Sequence, residues 1–272
     1  LSAAAAGRYR SAMLRALALT LILTGPAHAQ DLISGTLLPG WTTERGTRMA
    51  AVRLTLAPGW KTYWRSPGEA GIPPVFDWEG SGNVVRVSPH WPTPQVFHQN
   101  GLETLGYSRE VVLPLELHPR QPGAPMDVAL HVRLGVCSSD VCVPAELSLS
   151  GRLDGETADP GIRAALADRP LTAGEAGVGR VACEVEPIAD GLRVTAHVAL
   201  PGLRGDEAVV METADPSVWV SGSDVRADGG TVVATADMVP PNGAPFALDR
   251  SALRLTVVGD RGAVEIIGCP AP

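Results

Sequence analysis

The clearest alternation of apolar and polar positions runs over residues 126–149. Val128, Leu130, Val132, Leu134 and Val136 fall in one phase, while Asp127, His131, Arg133 and Cys137 fall in the other. A period of two marks a half-buried strand. After the Ser138-Ser139-Asp140 turn the apolar phase resumes at Val141, Val143, Ala145, Leu147 and Leu149, with Cys142, Pro144, Glu146 and Ser148 between them. The pattern predicts a β-hairpin with a cysteine on each side of its turn, both in the polar phase. Two other runs alternate as cleanly, residues 49–56 through Val52, Leu54 and Leu56, and residues 111–117 through Val111, Leu113, Leu115 and Leu117.

Further along, Val181, Cys183 and Val185 share a phase, then Val194, Ala196 and Val198 after an Asp190-Gly191 turn. Residues 218–220, 231–236, 253–258 and 264–267 continue the series, with a turn at Asp228-Gly229-Gly230. Asp-Gly pairs between alternating runs are hairpin signals. Between the two groups lies one short helix, with Asp159 as N-cap, Pro160 in its first turn and Ile162–Ala167 as its body. A Gly/Ala linker over 172–179 follows it. Many short strands, abundant glycine and proline, and no long helical period predict an all-β protein of tandem sandwiches. The divisions expected are a first sandwich over 31–153, a linker with the helix over 154–179 and a second sandwich over 180–272.

Residues 1–29 stand apart from this pattern. Arg8, Arg10 and Arg15 precede a short apolar run and an Ala27-His28-Ala29 site, which is the pattern of a cleavable signal peptide. The apolar run is too short to span a bilayer. Export to the periplasm as a soluble protein without membrane insertion is therefore expected. Removing that segment shifts the net charge from -7 to about -10. An acidic, mixed surface excludes a nucleic-acid footprint.

In an oxidising compartment, four cysteines point to disulfides. Cys137 and Cys142 can lie opposite each other in a hairpin, and their polar-face position suits exchange chemistry better than pinning a core. A bland hairpin cystine is the competing reading. Cys183, in an apolar phase, and Cys269 would close a long loop as a structural disulfide. The aromatic residues are uneven too. Nine of the eleven that follow residue 29 fall within 41–107, and the stretch 88–107 is rich in proline, glycine and polar residues. That stretch reads as a loop carrying Trp91, Phe97 and Tyr107, a lid or contact surface.

Several motifs together resemble a known family. Pro58-Gly59-Trp60-Lys61-Thr62-Tyr63-Trp64, Gly71-Ile72-Pro73-Pro74, Trp91-Pro92-Thr93-Pro94, Gly106-Tyr107 with Val111-Val112-Leu113-Pro114, and Cys142-Val143-Pro144 after Cys137 are similar to the N-terminal periplasmic domain of the thiol:disulfide interchange protein DsbD. The likeness is closer to its ScsB-like relatives of the suppressor-of-copper-sensitivity group. The resemblance implies immunoglobulin-like sandwiches and a catalytic Cys137–Cys142 pair that needs no cofactor. The pair would take electrons from a membrane-embedded thiol reductase and pass them to thioredoxin-like periplasmic proteins, with Cys142 forming the mixed disulfide. It also implies a cap loop over 96–107 and a shell around the cystine drawn from Tyr63, Phe97, Leu102, Glu103 and Tyr107. Glu103 is the one acidic residue in that cap, and Leu102 stands where the family carries an aromatic. With neither membrane segments nor a thioredoxin-like domain after the second sandwich, the reductase and the acceptor are expected to be separate proteins, or the chain to have a narrower job than a full relay. Copper tolerance and cytochrome c biogenesis are the processes associated with such relays.

Two other classes compete. Cys137 and Cys142 as thiolates, with His131, His98 or Met126, could hold Cu(I); the histidines show no metal-ligand spacing, and no metal site is assigned. A non-enzymatic interaction module presenting the aromatic stretch is the third.

Overall fold

The computed structural model describes residues 32–99, 101–202, 207–243 and 246–272. The signal-peptide expectation over 1–29 lies outside the described residues. Ten strands come first: β1 (Ile33–Thr42), β2 (Arg48–Leu56), β3 (Lys61–Gly68), β4 (Val75–Asp77), β5 (Val84–Pro89), β6 (Gln95–Gln99), β7 (Leu102–Ser108), β8 (Glu110–Pro119), β9 (Met126–Cys137) and β10 (Cys142–Leu153). Helix α1 (Pro160–Ala167) follows. The remaining strands are β11 (Leu171–Thr172), β12 (Val181–Pro187), β13 (Leu192–Ala199), β14 (Ala208–Glu212), β15 (Trp219–Val220), β16 (Asp224–Asp228), β17 (Thr231–Val239), β18 (Arg254–Gly259) and β19 (Gly262–Ile267).

They form four sheets. The first has the order β1-β2-β8-β5 and the second β10-β9-β3-β7-β6, with β4 also on β9. The third runs β11-β19-β18-β14 and the fourth β12-β13-β17-β15, with β16 also on β17. Alternation along the strands sends Val52, Leu54, Leu113 and Leu115 from the first sheet against Trp64, Leu105, Leu130 and Val136 from the second. Val194, Ala196 and Val198 meet Leu255, Val257 and Ile266 in the same way between the other two sheets. The described residues are therefore all-β, built of stacked and almost wholly antiparallel sheets with one short α-helix.

The third sheet is buried on both faces. Val209, Met211 and Val257 belong to the second core, while Ala208, Val210, Val258 and Ala263 join the first. An ion-pair cluster seals this junction. Arg65 stacks on Trp64 at 3.9 Å and donates to both carboxylate oxygens of Glu212, at 3.0 and 2.9 Å, and to Glu265 at 2.7 Å. Breaking a largely buried ion pair strands the remaining charges, so Arg65→Met is expected to cost about 1–3 kcal/mol once partial solvent screening is allowed for. Thermal unfolding checks this, and adding Glu212→Gln should return part of the loss.

Helix α1 starts as its sequence dictates, with Asp159 accepting from the Gly161 and Ile162 backbone N–H groups. Ile162 packs on Leu38, Met49 and Ala51, covering the outer side of the first sheet. The stretch 172–179 is less free than its composition predicts: β11 pairs in parallel with β19, and Ala173, Ala176 and Val178 lie against the second core. The larger correction concerns 88–107. Instead of a loop it is mostly the β6–β7 hairpin at the edge of the second sheet, in register from Gln95 opposite Gly106 to Gln99 opposite Leu102. Pairing to β3 supplied the order that local composition argued against.

Candidate functional site

The β9–β10 hairpin sets Cys142 directly opposite Cys137, with 4.1 Å between their Cα atoms and the sulfurs bonded. On the other side of β9, Lys61 of β3 is the cross-strand neighbour of Cys137. Lys61 and Tyr63, two residues apart on β3, therefore share the face that carries the cystine, while Thr62 and Trp64 take the opposite one. Tyr63 Oη donates to Cys137 Sγ at 2.8 Å and lies 3.6 Å from Cys142 Sγ. Burial pushes the Tyr63 phenol above its ordinary pKa, so it stays a donor at neutral pH.

Two pieces of chain cover this row. The segment 67–74 crosses the Tyr63 ring at Gly71, where a Cβ would come within 2.8 Å of Tyr63 Cδ1 and 2.2 Å of Pro67 Cβ. Ile72 then lies over Gly135, whose own missing Cβ makes the approach possible; one there would meet Ile72 Cβ at 2.8 Å. From the other side the β6–β7 hairpin brings Phe97, Gln99 and Thr104. Lys61 Nζ lies 4.7 Å from the Phe97 ring centre and donates to Gln99 Oε1 at 3.3 Å and Thr104 Oγ1 at 3.1 Å. Desolvation holds the Lys61 pKa below its usual value. The same segment and hairpin tip form one wall of a cleft of about 910 Å³, opposite Met211, Asp215 and the exposed Trp219.

The result is an asymmetric cystine. Cys137 is 1% exposed, whereas Cys142 is open to solvent. The expectation of two sulfurs on an open polar face is thus half corrected: both point away from the sandwich core, but Tyr63 and its covering segment bury one of them. Ile72, over Gly135, and Val141, next to Cys142 in the chain, are both exposed apolar residues.

Among the expected shell residues, Tyr63 touches the sulfurs, while Phe97 lies against Lys61, the cross-strand neighbour of Cys137. Leu102 is exposed at the hairpin tip. Glu103 turns to other partners: its backbone N–H donates to Glu69, and His98 lies 3.9 Å from its carboxylate. Desolvation raises the Glu103 pKa, opposed by His98 and reinforced by Glu69. Tyr107 does not belong to the shell. It sits opposite Thr62 on the core side of β7, 6% exposed, and its hydroxyl donates to the Pro92 carbonyl at 2.8 Å. Burial drives its pKa well above the usual tyrosine value.

The copper ligands considered from sequence are not gathered at the cysteines. Met126 is buried in the core at the far end of β9, opposite Leu153. His131 is paired with Ser148 at 3.0 Å, and His98 with Glu103. Among the described residues no group of three or more His, Cys, Asp or Glu is placed to hold a metal ion. The second cystine, Cys183–Cys269, lies in the second core with both residues at most 1% exposed. Lys61, Gln99 and Thr104 were missed as site residues. The spacing of Lys61 from Tyr63 on one strand was a usable signal; nothing local singled out the other two.

One sulfur of this cystine is buried and accepts from a phenol while the other is open, so a thiolate could approach only the open one. Residues 35–152 match the family model described as "Thiol:disulfide interchange protein DsbD, N-terminal". The crystal structure of the N-terminal periplasmic domain of ScsB from Proteus mirabilis is similar over 92% of this chain and 96% of that one, with 25% identity and a TM-score of 0.67. No curated protein sequence matches the chain. The resemblance carried by the sequence motifs is thereby shown over residues 35–152, the part of the chain that the family model covers.

Proposed function

We propose that the chain is a periplasmic thiol:disulfide interchange protein of two tandem immunoglobulin-like sandwiches, 31–153 and 180–272. It passes electrons through Cys137–Cys142 from a membrane-embedded thiol reductase to thioredoxin-like proteins. The observation that carries this reading is the asymmetry of the cystine: one sulfur open, the other buried with a donor 2.8 Å away.

The chemistry follows from that arrangement. A thiolate of the reductase attacks Cys142 Sγ, the S–S bond breaks, and the electron pair leaves on Cys137 Sγ, where the Tyr63 hydroxyl stabilises the new thiolate. The reductase's second thiolate then attacks its own half of the mixed disulfide, releasing Cys142 as a thiolate. The reductase is left oxidised and this chain reduced by two electrons. Run against an oxidised thioredoxin-like protein, the dithiol gives those electrons up: Cys142 attacks the acceptor disulfide, and Cys137 attacks Cys142 Sγ to close the cystine.

Partner capture tests this. Cys137→Ser keeps the open thiol and removes the resolving one, so it is expected to accumulate a covalent complex with a thioredoxin-like protein from periplasmic extract on non-reducing gels. Cys142→Ser is expected to capture little. If neither variant holds such a protein and the wild type exchanges with none, the assignment fails.

A further inference from the structure

The two cysteines are held by unequal means. β9 is an interior strand, with β10 on one side and β3 and β4 on the other, so Cys137 is fixed by ladders on both flanks. β10 is the outermost strand of the sheet, and Cys142 is its first residue. While the disulfide is intact the bond itself keeps Cys142 in place. Once it opens, the sulfur depends on the end of an edge strand and on the turn 138–141, which is where strands fray first.

Part of the turn's order is its own. The Ser138 N–H donates to the Val141 carbonyl at 2.8 Å, and Ser138 Oγ accepts from the Asp140 and Val141 N–H groups at 3.2 Å. The other constraint comes from the cap. Gln99 Nε2 donates to the Ser138 carbonyl at 3.4 Å and to the Ser139 carbonyl, while its Oε1 accepts from Lys61 Nζ. This one amide bridges the cap and the redox turn, and its orientation is forced. Flipped, it would set an NH2 against the ammonium and an oxygen against two carbonyls. Lys61 is in turn held by Thr104 and the Phe97 ring, and it is only 8% exposed.

We propose that Gln99, oriented by Lys61, is a positioning residue for exchange: it holds the turn, and with it Cys142, within reach of Cys137 while the disulfide is open. The inference rests on the exchange reading of Cys137–Cys142 and adds what makes ring closure fast. An intramolecular attack draws its rate from how closely the two groups are held, and loosening one of them lowers the effective concentration directly.

Glutathione disulfide is the probe. In the reduced full-length chain the Cys142 thiolate attacks one glutathione sulfur, releasing one glutathione thiolate and leaving a mixed disulfide. The Cys137 thiolate then attacks Cys142 Sγ, the second glutathione thiolate leaves, and two electrons have passed to the probe. Acid-quenched samples read by mass separate the two steps. For Gln99→Ala the second step is expected to slow about tenfold, so that the glutathionylated form accumulates, while the first changes less than about twofold. Gln99→Glu keeps an acceptor for Lys61 but loses both donors to the turn, and it should behave like Gln99→Ala. Lys61→Met should slow closure in the same direction, and Lys61→Arg should restore it in large part.

Closure at the wild-type rate in a folded Gln99→Ala or Gln99→Glu protein overturns the proposal. Should Lys61→Met fail to fold, the two Gln99 variants, which alter a half-exposed side chain, still decide. The partner reading fails separately. Slow closure in these variants with no thioredoxin-like protein captured by Cys137→Ser supports the positioning role and removes the proposed partner.

Discussion

Graded reduction of the native protein with a mild thiol is expected to open Cys137–Cys142 and leave Cys183–Cys269 closed. Attack on a disulfide needs a line of approach to one sulfur. Cys142 offers one, whereas Cys183 and Cys269 are sealed between the third and fourth sheets. Stability follows the opposite order. Chain-entropy reasoning gives about 2 kcal/mol for a bond between residues 5 apart and about 4.5 kcal/mol for one between residues 86 apart. Replacing Cys183 and Cys269 by alanine should therefore lower the unfolding free energy about twice as far as replacing Cys137 and Cys142. Mass mapping after graded reduction checks the first statement and denaturant unfolding of the two double variants the second. Equal resistance of both cystines would remove the basis for calling one of them reactive.

The hairpin at the heart of this site was legible because its signal is local. An unbroken period of two on both strands fixes which residues face the core, and a four-residue turn fixes the register of Cys142 on Cys137. The helix was legible for the same reason, since Asp159 and Pro160 are start signals in themselves. Strands β6 and β7 were not, because β7 is held by pairing with β3, distant in sequence and interrupted by an irregularity between Tyr63 and Gly68, and β6 is held in the sheet only by β7. β14 escaped notice as well: Ala208–Glu212 is buried on both faces, so it shows no alternation to read. At the site, the motif resemblance brought Tyr63 into consideration, but the asymmetry of the cystine had no sequence signature. It arises from Gly71 and Gly135 letting one segment press on Tyr63 and β9, a three-dimensional coincidence. Tyr107 shows the converse. Its place in a motif suggested the shell, and one residue of strand phase relative to Gly106 turns it into the core instead.

Tyr63→Phe is expected to slow exchange at Cys142 by more than any other single change that leaves both cysteines in place. The hydroxyl donates to the sulfur that must leave as a thiolate, in a spot where solvent cannot substitute for it, since Cys137 and Tyr63 are at most 2% exposed. A hydrogen bond to a charged group is worth about 1.5–3 kcal/mol, which converts to a rate reduction on the order of 10- to 100-fold. The ring's packing beneath Gly71 is unchanged by losing one oxygen, so the fold should tolerate it with a stability change of about 1 kcal/mol or less. The loss should also be directional. Stabilising the Cys137 thiolate favours the dithiol, so without the hydroxyl the equilibrium with glutathione shifts toward the disulfide, by up to the same factor as the rate. A purely structural role for Tyr63 would move the unfolding midpoint and leave that equilibrium alone. Stopped-flow reduction of the wild type and variant, paired with redox titration in glutathione buffers, separates the two. If neither the rate nor the equilibrium moves in a folded Tyr63→Phe protein, Tyr63 is a packing residue and the buried thiolate draws its stabilisation from elsewhere, with Lys61 on the neighbouring strand as the next group to change.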